Sequence, residues 1–348
     1  MTSNRSRFVV LDGARGIAAL AVVLFHLYSG ANSFFVHFFL FVDFFFVLSG
    51  FVLAQTINGL GTYDAITKFL VNRFIRLAPM AYSAVSVVVI IQLGVNLKYL
   101  LSGNQIPEGV PLDALTLLFT FLFLQIFSLN SQLLLYPLWS LSVEWLSNVL
   151  ASVTPRASTR GDFVFFVIPG VLLLVITTFT LDNSFLGNAG NQLGRGLFGF
   201  GLGLALWRAK NRMESSGRAS LHFFIGILLT VLVLFINHFS RELALFVSSP
   251  LFATSIFMLY KFEMQVTEIW FGGCFKYLGR LSYGIYVWHV VATNILSVLS
   301  ENLNLKIFEL GYNFGIPRLI AVLLLTALLT ELTIKFIEAP LRDRFKDA

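Results

Sequence analysis

Long apolar runs separated by short polar clusters make up most of the chain. The runs are continuous rather than alternating, which is the pattern of spanning helices and not of barrel strands. By apolar length the expected spans are about 16–33, 35–56, 79–100, 135–153, 163–182, 194–208, 221–238, 243–260, 281–299 and 317–337. A further apolar stretch, 113–129, is ambiguous by length. Charge decides it. With ten spans and the N-terminus inside, only Lys98, Arg195, Arg241, Lys306 and Arg318 of the 24 basic residues fall outside. A crossing at 113–129 would flip every later loop and erase that bias, so this stretch is expected to be a re-entrant or surface helix. The pattern predicts an all-α, polytopic membrane protein with about ten transmembrane helices and both termini cytoplasmic. It forms a single transmembrane domain over 1–348 and sits in the plasma membrane, the inner membrane for a bacterial source.

Composition agrees. The chain is 57% hydrophobic and 12% charged, against about 25% charged for soluble domains. The net charge of +6 belongs to the inner flanks, so nucleic acid is not an expected partner. The single cysteine, Cys274, excludes an intramolecular disulfide and a cysteine metal cluster, and no metal site is expected. The front of the chain imitates a signal peptide, with Arg5, Arg7 and Ser29-Gly30-Ala31. Asp12, Arg15 and His26 interrupt that pattern and many spans follow, so no cleavage is expected. Gly194-Arg195-Gly196-Leu197-Phe198-Gly199 spells a dinucleotide-loop pattern, yet no strand precedes it. Gly199 and Gly203, four apart, read instead as a close helix contact.

The ionisable residues inside the apolar runs carry the candidate chemistry, because such groups are costly in hydrocarbon. His26 lies eleven residues after Arg15. Eleven helical steps come to about 1100°, so the two share a face roughly 16 Å apart along the axis. Asp43 stands among phenylalanines in Phe41-Val42-Asp43-Phe44-Phe45-Phe46 and needs a partner. His26 on the neighbouring span is at a suitable depth. A carboxylate on one imidazole nitrogen would raise the basicity of the other; a buried pair that merely ties two helices is the competing reading. Arg73 and Arg76 are neighbours at a helix start. They form either ordinary positive flanking or a phosphate clamp. In Leu138-Trp139-Ser140-Leu141-Ser142-Val143-Glu144-Trp145, Ser140 and Glu144 share a face. Glu144 could pair structurally with an arginine, hold an acceptor hydroxyl or position the catalytic group. His289, a lone histidine in the ninth span, is of a kind more often satisfied in the core.

Together these segments resemble the acyltransferase-3 family of membrane O-acyltransferases. The matching pieces are Arg15 with His26, Val42-Asp43-Phe44-Phe45-Phe46-Val47-Leu48-Ser49-Gly50-Phe51, and Arg73 with Arg76 and Pro79. They continue with Trp139-Ser140-Leu141-Ser142-Val143-Glu144, Leu278-Gly279-Arg280-Leu281-Ser282-Tyr283-Gly284-Ile285-Tyr286 with His289, and Glu338-Ala339-Pro340-Leu341-Arg342. Trp145 stands where members often have a second acidic residue. The resemblance implies a ten-span fold, a cytoplasmic acyl-CoA donor (acetyl-CoA foremost) and an acceptor hydroxyl on the far side. It also implies that Arg15, His26, Asp43, Arg73, Arg76 and Glu144 matter. The expected activity is acyl transfer to a surface or lipid-linked saccharide. Arg15, Arg73 and Arg76 would hold the donor phosphates, and Ser49, Ser140, Ser142 and His289 would meet the acceptor. His26 would be general base, oriented by Asp43 or Glu144, or would carry the acyl group transiently. The expected partners are the acceptor, the bilayer and, where one completes the transfer, a separate extracytoplasmic transferase or polymer-assembly proteins. A transporter or flippase of a lipid-linked sugar is the alternative class.

Overall fold

The computed structural model describes residues 8–29, 33–105, 112–128, 134–154, 158–180, 185–210, 218–266, 269, 271–303 and 315–344. Among them there is no strand. Each of the ten apolar segments is helical over most of its described residues. In chain order the helices are α1 Val9–Tyr28, α2 Phe41–Ile57, α3 Tyr63–Leu101, the short α4 Ala114–Phe121, α5 Leu138–Val153 and α6 Thr159–Phe179. They continue with α7 Phe185–Ala209, α8 Ala219–Phe239, α9 Arg241–Gln265, α10 Gly272–Leu303 and α11 Ile316–Arg344. Eight helices among the described residues are long and apolar enough to cross a membrane. The described residues make a multi-pass membrane protein. Leu221, Phe224, Leu228, Val231 and Phe235 on α8, and Ile316, Ile320, Leu324 and Leu328 on α11, are exposed at helical spacing. Stripes of that size are anomalous in water and are the lipid face here.

Several helices begin well before their apolar run. Thr62 caps α3 by accepting from the Ala65 N–H at 3.2 Å, so Arg73 and Arg76 lie inside a 39-residue helix rather than at its start. The α4 segment does not cross. Asp113 caps it through the Thr116 N–H at 2.8 Å. Its eight residues span only about 12 Å, too short for a bilayer. The chain then reverses at Phe123 (φ 54°), whose ring lies 5.6 Å from Tyr82 and 5.9 Å from Phe74.

Glycines set the closest helix contacts. A Cβ on Gly203 would collide with the Val47 carbonyl oxygen, and one on Gly50 with the Phe200 carbonyl oxygen, so α2 and α7 touch backbone to backbone. Gly199 faces Phe46 Cβ and Ser249. Overpacking costs about 1–3 kcal/mol where side chains can yield, and here a backbone must. Gly203→Val is therefore expected to lower the melting temperature in detergent far more than Gly94→Val, a site where a Cβ meets nothing. Equal melts for the two variants would contradict the contact.

Candidate active site

Helix direction assembles the site. The C-terminal ends of α1 and α8 meet the N-terminal ends of α2, α7 and α9. Between them is a cavity of about 500 Å³, within the roughly 300–1,000 Å³ typical of ligand sites. Its apolar wall includes Phe25, Phe39 and Trp139; its polar wall includes Asn188, Asn191, Gln192, Arg195, Asn237 and Arg241. His26, His37, Tyr136 and Tyr286 also line it. Asn188, Asn191, Gln192 and Arg195 are spaced i, i+3, i+4 and i+7, so one face of α7 presents all four. Asn237 pairs with His37 Nδ1 at 2.6 Å. Its Oδ1 is buried without a hydrogen-bond partner.

His26 projects from α1 into this cavity. Its ring centroid is 5.8 Å from Tyr136 and 5.0 Å from His289. His289 was expected to touch the acceptor. It is instead fully buried behind His26 on α10, with Nδ1 3.0 Å from the Ile285 carbonyl oxygen.

Asp43 was expected to orient His26. Its carboxylate is turned elsewhere: Oδ1 accepts from Arg195 Nε at 2.8 Å and Oδ2 from the Ser248 hydroxyl at 2.9 Å. Asp43 is wholly buried and Arg195 is 6% exposed. The guanidinium also lies 5.2 Å from the Phe39 ring and 5.4 Å from Trp139. The pairing has a physical reason. A planar cation supplies the charge and donors that a neutral imidazole cannot.

Glu144 likewise meets an arginine. Arg73 Nη2 donates to its Oε1 at 2.5 Å, and the Ser49 hydroxyl donates to the same oxygen at 3.2 Å. Ser49 therefore faces Glu144 rather than the cavity. Ser140 lies one turn away on α5, with its hydroxyl 2.7 Å from that of Tyr286, which lines the cavity. Ser142 is fully buried and its hydroxyl has no partner. The four expected acceptor contacts thus lie behind the wall, and the amides of α7 form it.

The arginines expected to hold the donor, Arg15, Arg73 and Arg76, lie outside this cavity, toward the other end of α1 and α10. Arg15 reaches α10, donating to the Gly279 carbonyl oxygen at 2.7 Å and the Ser282 hydroxyl at 2.9 Å, with Asp12 at 3.2 Å. Arg76 is exposed one turn beyond Arg73. Tyr283, between these levels, donates to the Leu77 carbonyl oxygen at 2.6 Å. The helices α1 and α10 run parallel, with Arg15 beside Gly279 and Ser282 and His26 beside His289. One seam therefore links the arginine end to the cavity. The described residues contain no group of three or more potential metal ligands.

Residues 8–333 match the family model described as "Acyltransferase domain". Over 365 aligned positions the chain is 27% identical to the "Putative peptidoglycan O-acetyltransferase YrhL" of Bacillus subtilis (strain 168), covering 96% of this chain and 55% of that protein. It is 34% identical over 195 positions to "Protein 2 in picA locus" of Rhizobium radiobacter, covering 50% of this chain and 96% of that protein. It is 25% identical over 381 positions to the "Peptidoglycan O-acetyltransferase OatA" of Listeria monocytogenes serovar 1/2a, covering 98% of this chain and 57% of that protein. The chain spans about half the length of the first and third of these relatives. No solved structure matches the chain.

Proposed function

The chain belongs to the acyltransferase-3 family, and from that premise we propose that it is an O-acetyltransferase. It moves an acetyl group from cytoplasmic acetyl-CoA to a hydroxyl of a surface or lipid-linked saccharide. The observation that carries this reading is one imidazole, His26, on the wall of a polar cavity large enough for a sugar. Amide side chains along the wall offer paired donors and acceptors. Aromatic rings supply apolar faces for the C–H side of a sugar. The relatives named as peptidoglycan O-acetyltransferases agree with a saccharide acceptor.

In this reading Arg76 and Arg15 receive the phosphates of the donor at the inner end, and Arg73 holds Glu144 in place beside them. The thioester reaches His26 from that end of the bundle. The imidazole takes the proton of the acceptor hydroxyl. The oxygen forms a bond to the acetyl carbon, the carbon–sulfur bond breaks, and the thiolate leaves with the proton from His26. Base catalysis of this kind contributes roughly 10²–10⁴-fold, and alignment of thioester and hydroxyl supplies much of the remainder.

The test is turnover by purified protein in lipid. Acetyl-CoA with a cell-wall oligosaccharide is expected to release free thiol and to add one acetyl mass to the sugar. Movement of the sugar across a vesicle membrane with no thiol release would establish the flippase reading instead.

A further inference from the structure

We propose that His289 is the positioning residue of His26: its bare ring nitrogen receives the His26 N–H, leaving the other His26 nitrogen to take the acceptor's proton. This rests on His26 acting as general base. Histidine bases are usually held by a carboxylate on their second nitrogen. Both candidate carboxylates are committed elsewhere, Asp43 to Arg195 and Ser248, and Glu144 to Arg73 and Ser49.

What stands against His26 is His289. Its Nδ1 faces the Ile285 carbonyl oxygen at 3.0 Å. A carbonyl only accepts, so Nδ1 carries the hydrogen and Nε2 carries the lone pair. That Nε2 is buried and has no partner, on a side chain that is 0% exposed. The rings are 5.0 Å apart at an interplanar angle of 35°, a separation that one imidazole N–H···N bond can span, and we place the His26 N–H on Nε2 after rotation of its ring. The backbones are held close. A Cβ on Gly16 would strike Leu278, and one on Gly279 would strike Asp12. Both imidazoles therefore project from one tight seam between α1 and α10.

The proton balance closes. The hydroxyl O–H bond breaks and an N–H bond forms on the cavity side of His26. The His26 N–H on the other side donates to His289 Nε2, and the Ile285 carbonyl oxygen faces the far hydrogen of His289, so the charge is spread along the row. On thiolate departure the proton leaves from the cavity side, and both rings return to neutral. The titratable and charged groups facing the pair are Tyr136 before α5, Tyr286 on α10, and His37, Arg195 and Arg241 around the cavity.

Purified His289→Leu, His289→Gln and His26→Ala proteins are compared by steady-state kinetics across pH. Leucine fills space without an acceptor, whereas glutamine keeps one. His289→Leu is expected to lose on the order of 10²-fold in kcat, with both KM values little changed and the acidic limb of the pH profile displaced. His289→Gln is expected to recover most of that loss. Wild-type kcat in His289→Leu with an inactive His26→Ala would overturn the positioning role alone. Equal losses in the leucine and glutamine variants with the acidic limb unmoved would mean packing only, and would overturn it too. Wild-type activity in His26→Ala would instead remove the base reading itself. Should the leucine variant fail to fold, ¹⁵N NMR of histidine-labelled wild-type protein in lipid decides. An N–H···N coupling between the two rings with acceptor bound is expected, and its absence overturns the proposal.

Discussion

Replacing His26 with alanine is expected to lower acetyl transfer by roughly 10²–10⁴-fold, the usual contribution of a positioned base, while the protein still folds. The side chain borders a cavity, so truncation enlarges that space and strands no buried charge. Binding should survive, because the aromatic and amide walls and the inner arginines are untouched. The loss belongs in kcat, with KM for the sugar near the wild-type value. The sign of the pH effect follows from the role. A base must be neutral, so wild-type turnover falls as acid protonates the imidazole, and the residual rate of His26→Ala should lack that limb. Thiol release and acetyl mass gain at several pH values measure both. The transient acyl-carrier alternative gives a different trace. An acetylated His26 would be trapped by hydroxylamine from protein given donor without acceptor.

The long apolar runs made the helices legible, since a bilayer accepts little else. The segment 113–129 was separable by charge bias, and α4 is indeed too short to cross. The site was legible in part. Arg15 and His26 do lie along one helix, but the amide wall of the cavity was hidden. Its amides, Asn188, Asn191 and Gln192, interrupt the hydropathy of α7, so an apolar-length criterion starts that span at 194 and assigns its most informative turn to a loop. The i, i+3, i+4, i+7 spacing with Arg195 was visible and is the signal that finds it. The partners of Asp43 and Glu144 were a different matter. A lone carboxylate announces that it needs a partner without naming one. Arg195 is 152 residues from Asp43 and Arg73 is 71 from Glu144, and only the packing of α2 on α7 and of α3 on α5 brings them together.

Breaking the Asp43–Arg195 pair from one side should have the largest effect on stability in the molecule. Asp43→Leu leaves the Arg195 guanidinium in a wall of Phe39 and Trp139 without its anion. Arg195→Met leaves a wholly buried carboxylate with the Ser248 hydroxyl. Removal of one partner from a buried pair costs about 3–5 kcal/mol, while replacing both by apolar residues of similar size is often close to neutral. Each single variant is therefore expected to melt well below the wild type in detergent, and the double variant Asp43→Leu with Arg195→Met to regain most of the loss. The double variant also separates structure from catalysis. With Asp43 as a structural anion for Arg195, the rescued protein should keep a His26-dependent acidic limb and show its main defect as a raised KM for the sugar, because Arg195 lines the cavity. With Asp43 orienting His26, the rescued protein would be stable yet deeply impaired in kcat, with that limb displaced. Melts that fail to recover in the double variant would mean that the pair contributes more than mutual neutralisation. Its further bonds, from Arg195 to the Phe39 carbonyl oxygen at 3.4 Å and from Ser248 to Asp43 at 2.9 Å, would then be what holds α2, α7 and α9 around the cavity.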